Sequence, residues 1–270
     1  MLPKTVKKGA RIAFSIITGL STFAGLWGYT VRDINPCLSW WLWGIILCLT
    51  LIALTAVICC LLMITAHRSY KTTINGKPVV IKTGDIFKEP GWKLIPCNER
   101  FDTEVNDRII AHNTLNGKMI DDHIDDLEAL NTAIRAAADD KSAFGPHMAK
   151  GKLVYPLGRL IPYKDFLMLS FSHFDENETA YIGVGEYEQL LIRMWVEMRR
   201  VYAAKRINIP LIGAGVTTIN GLPEKNYTEL LRCVLCTLRS SMFQADQGVT
   251  IVLTRDSIGQ IDMNAIKEEF

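Results

Sequence analysis

The chain carries almost no net charge. Its 270 residues hold 30 Lys plus Arg against 28 Asp plus Glu, a balance of +2, which leaves no electrostatic footprint for a nucleic-acid partner. Paired cysteines are lacking as well. There are seven, an odd number, and Cys48, Cys59 and Cys60 fall within one apolar run. That excludes a secreted disulfide framework and suits a reducing cytoplasm around the charged part of the chain. Cys233 and Cys236 make a lone C-x-x-C inside LLRCVLCTLRS. At helical spacing the two share a face, so they read as core packing, with metal or redox chemistry the alternative. Internal repeats, low-complexity tracts, a Walker A loop and a dinucleotide fingerprint are all absent. His112, His123, His147 and His173 are scattered, with no nucleophile–base spacing among them. No metal site and no cofactor are expected.

Charge is also missing locally. Ala10 to Tyr29 has only Arg11, at its edge, and Trp40 to Ala66 has no charge at all. Twenty helical residues rise ~30 Å, the thickness of a bilayer's hydrocarbon core. Residues 10–29 and 40–66 are therefore expected to be two transmembrane helices. Trp27, Tyr29, Trp40, Trp41 and Trp43 mark one interface, and residues 30–39, with Pro36, form the hairpin between the spans. Lys4, Lys7, Lys8 and Arg11 precede the first span, and Arg68, Lys71 and Lys77 follow the second. The positive-inside rule then places residues 1–9 and everything after the second span in the cytoplasm, the protein being multi-pass in a bacterial inner membrane. A cleaved signal peptide is the rival for the first span, but no small-x-small cleavage site ends it. Ser15/Gly19 and Ser21/Gly25 place small residues at i,i+4 spacing, which permits close helix packing or oligomers.

Beyond residue 67 the chain reads as a soluble domain of roughly 200 residues, enough for one well-buried core. Residues 67–78 are expected as a linker, with Thr72–Pro78 its polar connector and Asn75-Gly76 a turn, and the domain as 79–270. Strands are predicted at Val79–Thr83, Trp92–Pro96, Leu153–Tyr155, Phe166–Phe171, Ile207–Ile212 and Val249–Thr254. Apolar stripes of helical period predict helices over Glu186–Lys205, from Pro223 through Leu238, and over Asp121–Ala138. In the last, Asp121, Asp122, Asp125 and Asp126 would complement the helix dipole. This alternation predicts an α/β fold of three layers around a mixed sheet.

In such sheets ligands bind at the carboxyl ends of the strands. Three strand exits carry suggestive residues. In Lys82-Thr83-Gly84-Asp85-Ile86-Phe87, Asp85 follows a buried strand and offers a carboxylate to an amino group; Gly-Asp is also an ordinary turn pair. In Ile95-Pro96-Cys97-Asn98-Glu99, Asn98 suits ribose hydroxyls or caps a turn. In Pro210 to Thr218, the small residues Gly213-Ala214-Gly215, with Val216 and Thr217, expose backbone N–H groups that can cradle a diphosphate.

These three loops, in this order, resemble a macro domain over Val79 to Thr254. The resemblance implies that Asp85, with Ile86 beside it, meets adenine, that Asn98 faces the distal ribose, and that Gly213, Ala214, Gly215, Val216 and Thr217 wrap the diphosphate. Two departures bear on activity. The family's N-A-A-N reads Pro96-Cys97-Asn98-Glu99 here, and its next glycine-rich loop is replaced by Phe101-Asp102-Thr103-Glu104-Val105-Asn106-Asp107. Hydrolytic macro domains do their chemistry there, so a non-enzymatic role is expected.

With two spans ahead of such a domain, the chain resembles the effector of type II Thoeris antiphage systems. What this implies is a membrane effector that senses an ADP-ribose-derived signal, such as histidine-ADP-ribose made by a TIR-domain enzyme. It would then oligomerise and disrupt the lipid bilayer. Glu99, Asp102, Glu104 and Asp107 are candidates for the positive groups of the conjugated amino acid. A membrane-tethered ADP-ribosyl hydrolase is the alternative, and a passive anchor that recruits partners is a third.

Overall fold

The computed structural model describes residues 69–139, 145–149, 151–175, 177–222 and 224–270, together with Ser15, Thr18, Gly19, Ile45, Leu49, Thr50 and residues 52–58, which are helical. The two expected spans and their hairpin lie almost wholly outside the described residues. Among the described residues no helix is long and apolar enough to cross a membrane. Residues 1–69 and 70–270 form two compact units, and the second carries the sheet and its helices.

The elements run β1 (Ser69–Ile74), β2 (Lys77–Thr83), β3 (Trp92–Asn98), α1 (Leu115–His123), α2 (Leu127–Ala136), β4 (His147–Ala149), β5 (Lys152–Val154), β6 (Leu160–Tyr163), β7 (Phe166–Phe174), β8 (Ala180–Gly183), α3 (Val184–Val201), β9 (Ile207–Pro210), β10 (Thr218–Asn220), α4 (Tyr227–Ser241), β11 (Val249–Leu253), α5 (Arg255–Gly259) and α6 (Met263–Glu269). Nine strands make one mixed sheet in the order β1-β2-β11-β9-β3-β7-β8-β10, with β6 also on β7. The β2, β11, β9, β3 and β7 neighbours are all parallel, so five carboxyl ends share one edge.

Strand β3 shows why three layers form. Leu94 and Trp92 enter one core with α3 and α4, while Ile95 and Cys97 enter a second with Met119 of α1 and Leu130 of α2. Strand β7 repeats the division, Leu167, Leu169 and Phe171 on one side and Phe166 and Met168 on the other. Alternation with both faces apolar is what a helix-covered strand requires. The three-layer mixed α/β arrangement expected from the sequence is present.

Several boundaries differ from expectation. Thr72–Pro78 is no free connector: it forms the end of β1, the Asn75-Gly76 turn and the start of β2. Both turn residues have positive φ (53° and 75°), the requirement of a two-residue hairpin. Asn75 Nδ2 further donates to the carbonyls of Leu238 and Phe243 at the end of α4, at 2.9 and 3.2 Å. The expected helix Asp121–Ala138 is two helices. α1 starts earlier, where Thr114 Oγ1 accepts from Gly117 N, and it ends at His123. Asp121 and Asp122 therefore lie in its last turn, whereas Asp126 caps α2. Helix α3 stops at Val201, with Ala203 and Ala204 at φ 49° and 52°, and α4 begins at Tyr227 behind its N-cap Asn226. Leu153 and Val154 belong to a separate β4–β5 hairpin, while β6, β8 and β10 escaped the sequence reading. Cys233 packs against the larger core, and Cys236 Sγ lies 3.8 Å from Glu269 Oε1.

Candidate functional site

A cavity of about 1030 Å³ opens along the edge where the five parallel strands end. That is the upper end of ordinary ligand-site volumes and the position general to open α/β sheets. The exits of β2, β3, β7, β9 and β11 all contribute to its wall.

After β2, Asp85 and Ile86 line the cavity. Asp85 caps a short 3-10 turn, its Oδ1 accepting from Phe87 N at 3.1 Å, with Lys88 Nζ 3.9 Å from the other oxygen. One carboxylate oxygen is thus held in place while the side chain stays half exposed. Ile86 is buried beneath it. Phe87 stacks on His123 at 4.4 Å between ring centroids, closing that wall with α1.

After β3, the pairing with β7 slips by one residue between Cys97 and Asn98. Such a bulge re-aims a side chain. Asn98 is buried and lines the cavity, its Oδ1 accepting from Arg100 N at 2.9 Å and Asp102 N at 3.3 Å. Its Nδ2 has no acceptor among the described residues. Glu99 and Asp102, expected beside Asn98, do not line the cavity. Glu99 Oε2 lies 2.5 Å from His173 Nδ1, with Glu186 Oε1 3.2 Å from the other ring nitrogen. The hydrogen bond to Glu99 raises the His173 pKa, against the opposing effect of burial. Asp102 pairs with Arg100 Nε at 2.9 Å, and Arg100 also binds Glu178. Burial raises the Asp102 pKa, though Arg100 opposes it. Both carboxylates are engaged because the chain turns inward at Phe101, which is 3% exposed. Of the loop beyond Phe101, Asp107 reaches the cavity, and its Oδ1 accepts from His112 N; Glu104 bonds Asn106 instead.

After β9, Gly213, Ala214, Gly215, Val216 and Thr217 all line the cavity. Gly213 has φ 88°, and a Cβ there would meet Tyr187, Ile219 and Leu230 at 3.2–3.4 Å. Gly215 has nothing within 4 Å of a Cβ position, and Val216 is 73% exposed. The loop is open toward the cavity and carries no charged side chain. Its chemistry is that of backbone amides, which bind anions. Asp85, Ile86, Asn98 and residues 213–217 are therefore brought to one cavity; Glu99 and Asp102 are not.

Other wall residues were missed. Thr254 and Ser257, at the start of α5, lie at the exit of β11, and Thr254 Oγ1 accepts from Ser257 N at 3.1 Å. A strand end followed by Thr-x-x-Ser is a legible cap and was the available signal. Asp122 and Glu178 add carboxylates, and Arg108 and Lys118 cations; nothing in the local sequence marked them. Among the described residues no group of His, Cys, Asp and Glu has the makings of a metal site.

Residues 79–254 match the family described as Thoeris protein ThsA, Macro domain. The Thoeris protein ThsA of Bacillus amyloliquefaciens (strain Y2) is 34% identical over 205 residues, spanning 72% of this chain and 68% of that protein. Among solved structures, the Oceanobacillus iheyensis macrodomain with ADP is similar at a TM-score of 0.46 and 18% identity, covering 75% of this chain and 98% of that one. A point mutant of the same macrodomain, with ADPR, gives 0.47 and 18% over 74% and 98%.

Proposed function

The chain belongs to the Thoeris ThsA macro-domain family, and from that premise we propose that it is an antiphage effector whose cavity senses an ADP-ribose-derived nucleotide. What supports this is one feature above the others: an uncharged glycine loop at the edge where five parallel strands end, in which the Ala214 N–H is taken by the Leu211 carbonyl but the Gly215 and Val216 N–H groups have no acceptor among the described residues. Such a loop suits a diphosphate. In this reading Asp85 accepts from the adenine amino group with Ile86 under the ring. Asn98 Nδ2 donates to the distal ribose, and Gly213 to Thr217 hold the diphosphate. Asp107, which lines the cavity, suits a positively charged appendage such as a conjugated histidine. Glu99 and Asp102 have no part in it, being held by His173 and Arg100.

The signal would come from a TIR-domain enzyme. The two uncharged stretches before residue 67 would anchor the chain in the inner membrane, with the cavity cytoplasmic. Binding would favour a homo-oligomer that disrupts the bilayer. For this the ligand must bind the assembled state more tightly than the resting one. The test combines two measurements on the full-length chain. Calorimetry in detergent should show saturable binding of ADP-ribose, tighter for its histidine conjugate. Liposomes containing the protein should leak dye only when that ligand is added. No binding of either nucleotide would remove the cavity's role. Binding with steady turnover of an ADP-ribosylated substrate would instead favour a hydrolase.

A further inference from the structure

The glycine loop is held through its carbonyls. The carbonyls of Ile212, Ala214 and Gly215 each accept a side-chain hydrogen bond: from Tyr187 Oη at 2.8 Å, from Tyr227 Oη at 3.2 Å, and from Lys225 Nζ in close contact. In a trans peptide the carbonyl of one residue and the N–H of the next point in opposite directions. Fixing the Ala214 and Gly215 carbonyls on Tyr227 and Lys225 therefore turns the N–H groups of Gly215 and Val216 the other way. No acceptor among the described residues takes either N–H, and both residues line the cavity.

Lys225 differs from the two tyrosines by its charge. It is half-buried, and no carboxylate among the described residues lies within ion-pair reach of it. Burial accordingly lowers its pKa, with no opposing carboxylate. A cation that donates to a carbonyl polarises the whole peptide, and the N–H on its far side becomes a stronger donor. We propose that Lys225 is a positioning residue for the diphosphate: through the Gly215 carbonyl it orients the Gly215–Val216 peptide and lends it positive potential, without touching the guest. This rests on the reading of the cavity as an ADP-ribose site.

The test compares Lys225→Met, Lys225→Gln and Lys225→Arg with the unaltered full-length chain in detergent, using ADP-ribose and adenosine as probes. Lys225→Met and Lys225→Gln are expected to weaken ADP-ribose binding by roughly tenfold, the worth of one charge-assisted hydrogen bond. Adenosine, which lacks the diphosphate, should change less than about twofold, within the scatter of surface substitutions. Lys225→Arg should restore most of the ADP-ribose affinity. The fall of ADP-ribose affinity with added salt should be shallower in Lys225→Gln than in the unaltered chain, which a purely structural staple would not produce. Unchanged ADP-ribose affinity in Lys225→Met, parallel losses for both probes, or Lys225→Arg as weak as Lys225→Met would each overturn the assignment. If the unaltered chain binds adenosine but not ADP-ribose, the cavity reading itself fails and this assignment with it.

Discussion

Replacing Gly215 by glutamate puts a carboxylate on the lip of the cavity at almost no structural cost. Nothing lies within 4 Å of its Cβ position, the residue is exposed, and its backbone is outside the left-handed region. Stability should change by less than about 0.5 kcal/mol, as for other surface substitutions. Binding is another matter. A carboxylate ~5 Å from a phosphate charge is opposed by about 3 kcal/mol at an effective dielectric of ~20. Solvent at the exposed rim reduces the sum over both phosphates to about 1.5–3 kcal/mol. The expected loss is roughly tenfold to a hundredfold in affinity for ADP-ribose. Gly215→Lys adds comparable bulk with the opposite sign and should bind at least as tightly as the native chain. The assay is calorimetric titration of both variants, with thermal melts to verify folding. Equal losses in the two would mean that bulk, not charge, decides. Native affinity in Gly215→Glu would refute the placement of the diphosphate on this loop.

Asp85→Ala should abolish measurable ADP-ribose binding and also cost about 1 kcal/mol for the lost cap, whereas Asp85→Asn keeps an acceptor for Phe87 N–H and should retain the melting temperature; calorimetry and melting curves separate the two effects. A Cβ at Gly117 would stand 2.3 Å from the Ala111 carbonyl, so Gly117→Ala should destabilise the domain by about 1–3 kcal/mol, a fall of roughly 3–10 °C in Tm. The pKa of His173 is raised above its unfolded value by Glu99. Its contribution to stability is thus complete below about pH 6.5 and is lost as pH rises through the raised folded value. Melting temperatures of the native chain should drop over that interval, and those of His173→Gln should drop less.

How far the sequence alone reached depends on the kind of signal. The continuous apolar runs of β3, β7 and β11 declared buried strands, and the stripes of α3 and α4 declared their inward faces. Short strands did not: Thr218–Asn220 pairs with Ala180–Gly183, which in turn pairs with the end of β7, and these are non-local facts. β1 reads in sequence as a connector because an edge strand, SYKTTI, is polar on alternate residues. The site divided along the same line. Residues 213–217 and Asp85 were legible as cavity wall because they follow buried parallel strands, whose carboxyl ends fix where the loops emerge. Glu99 and Asp102 were not, because their direction depends on the bulge at Asn98 and on the inward turn at Phe101. Adjacency in sequence says nothing about side-chain direction once a ladder slips.

Helix α4 is fastened at both of its ends. Asn75, in the turn after the first strand, is tied to carbonyls at its final turn, and Tyr227, at its opening residue, is tied to the glycine loop. Fifteen residues make a strut ~22 Å long, stiff and packed along its length in the larger core. The glycine loop and the β1–β2 hairpin are thus tied to opposite ends of one rigid element.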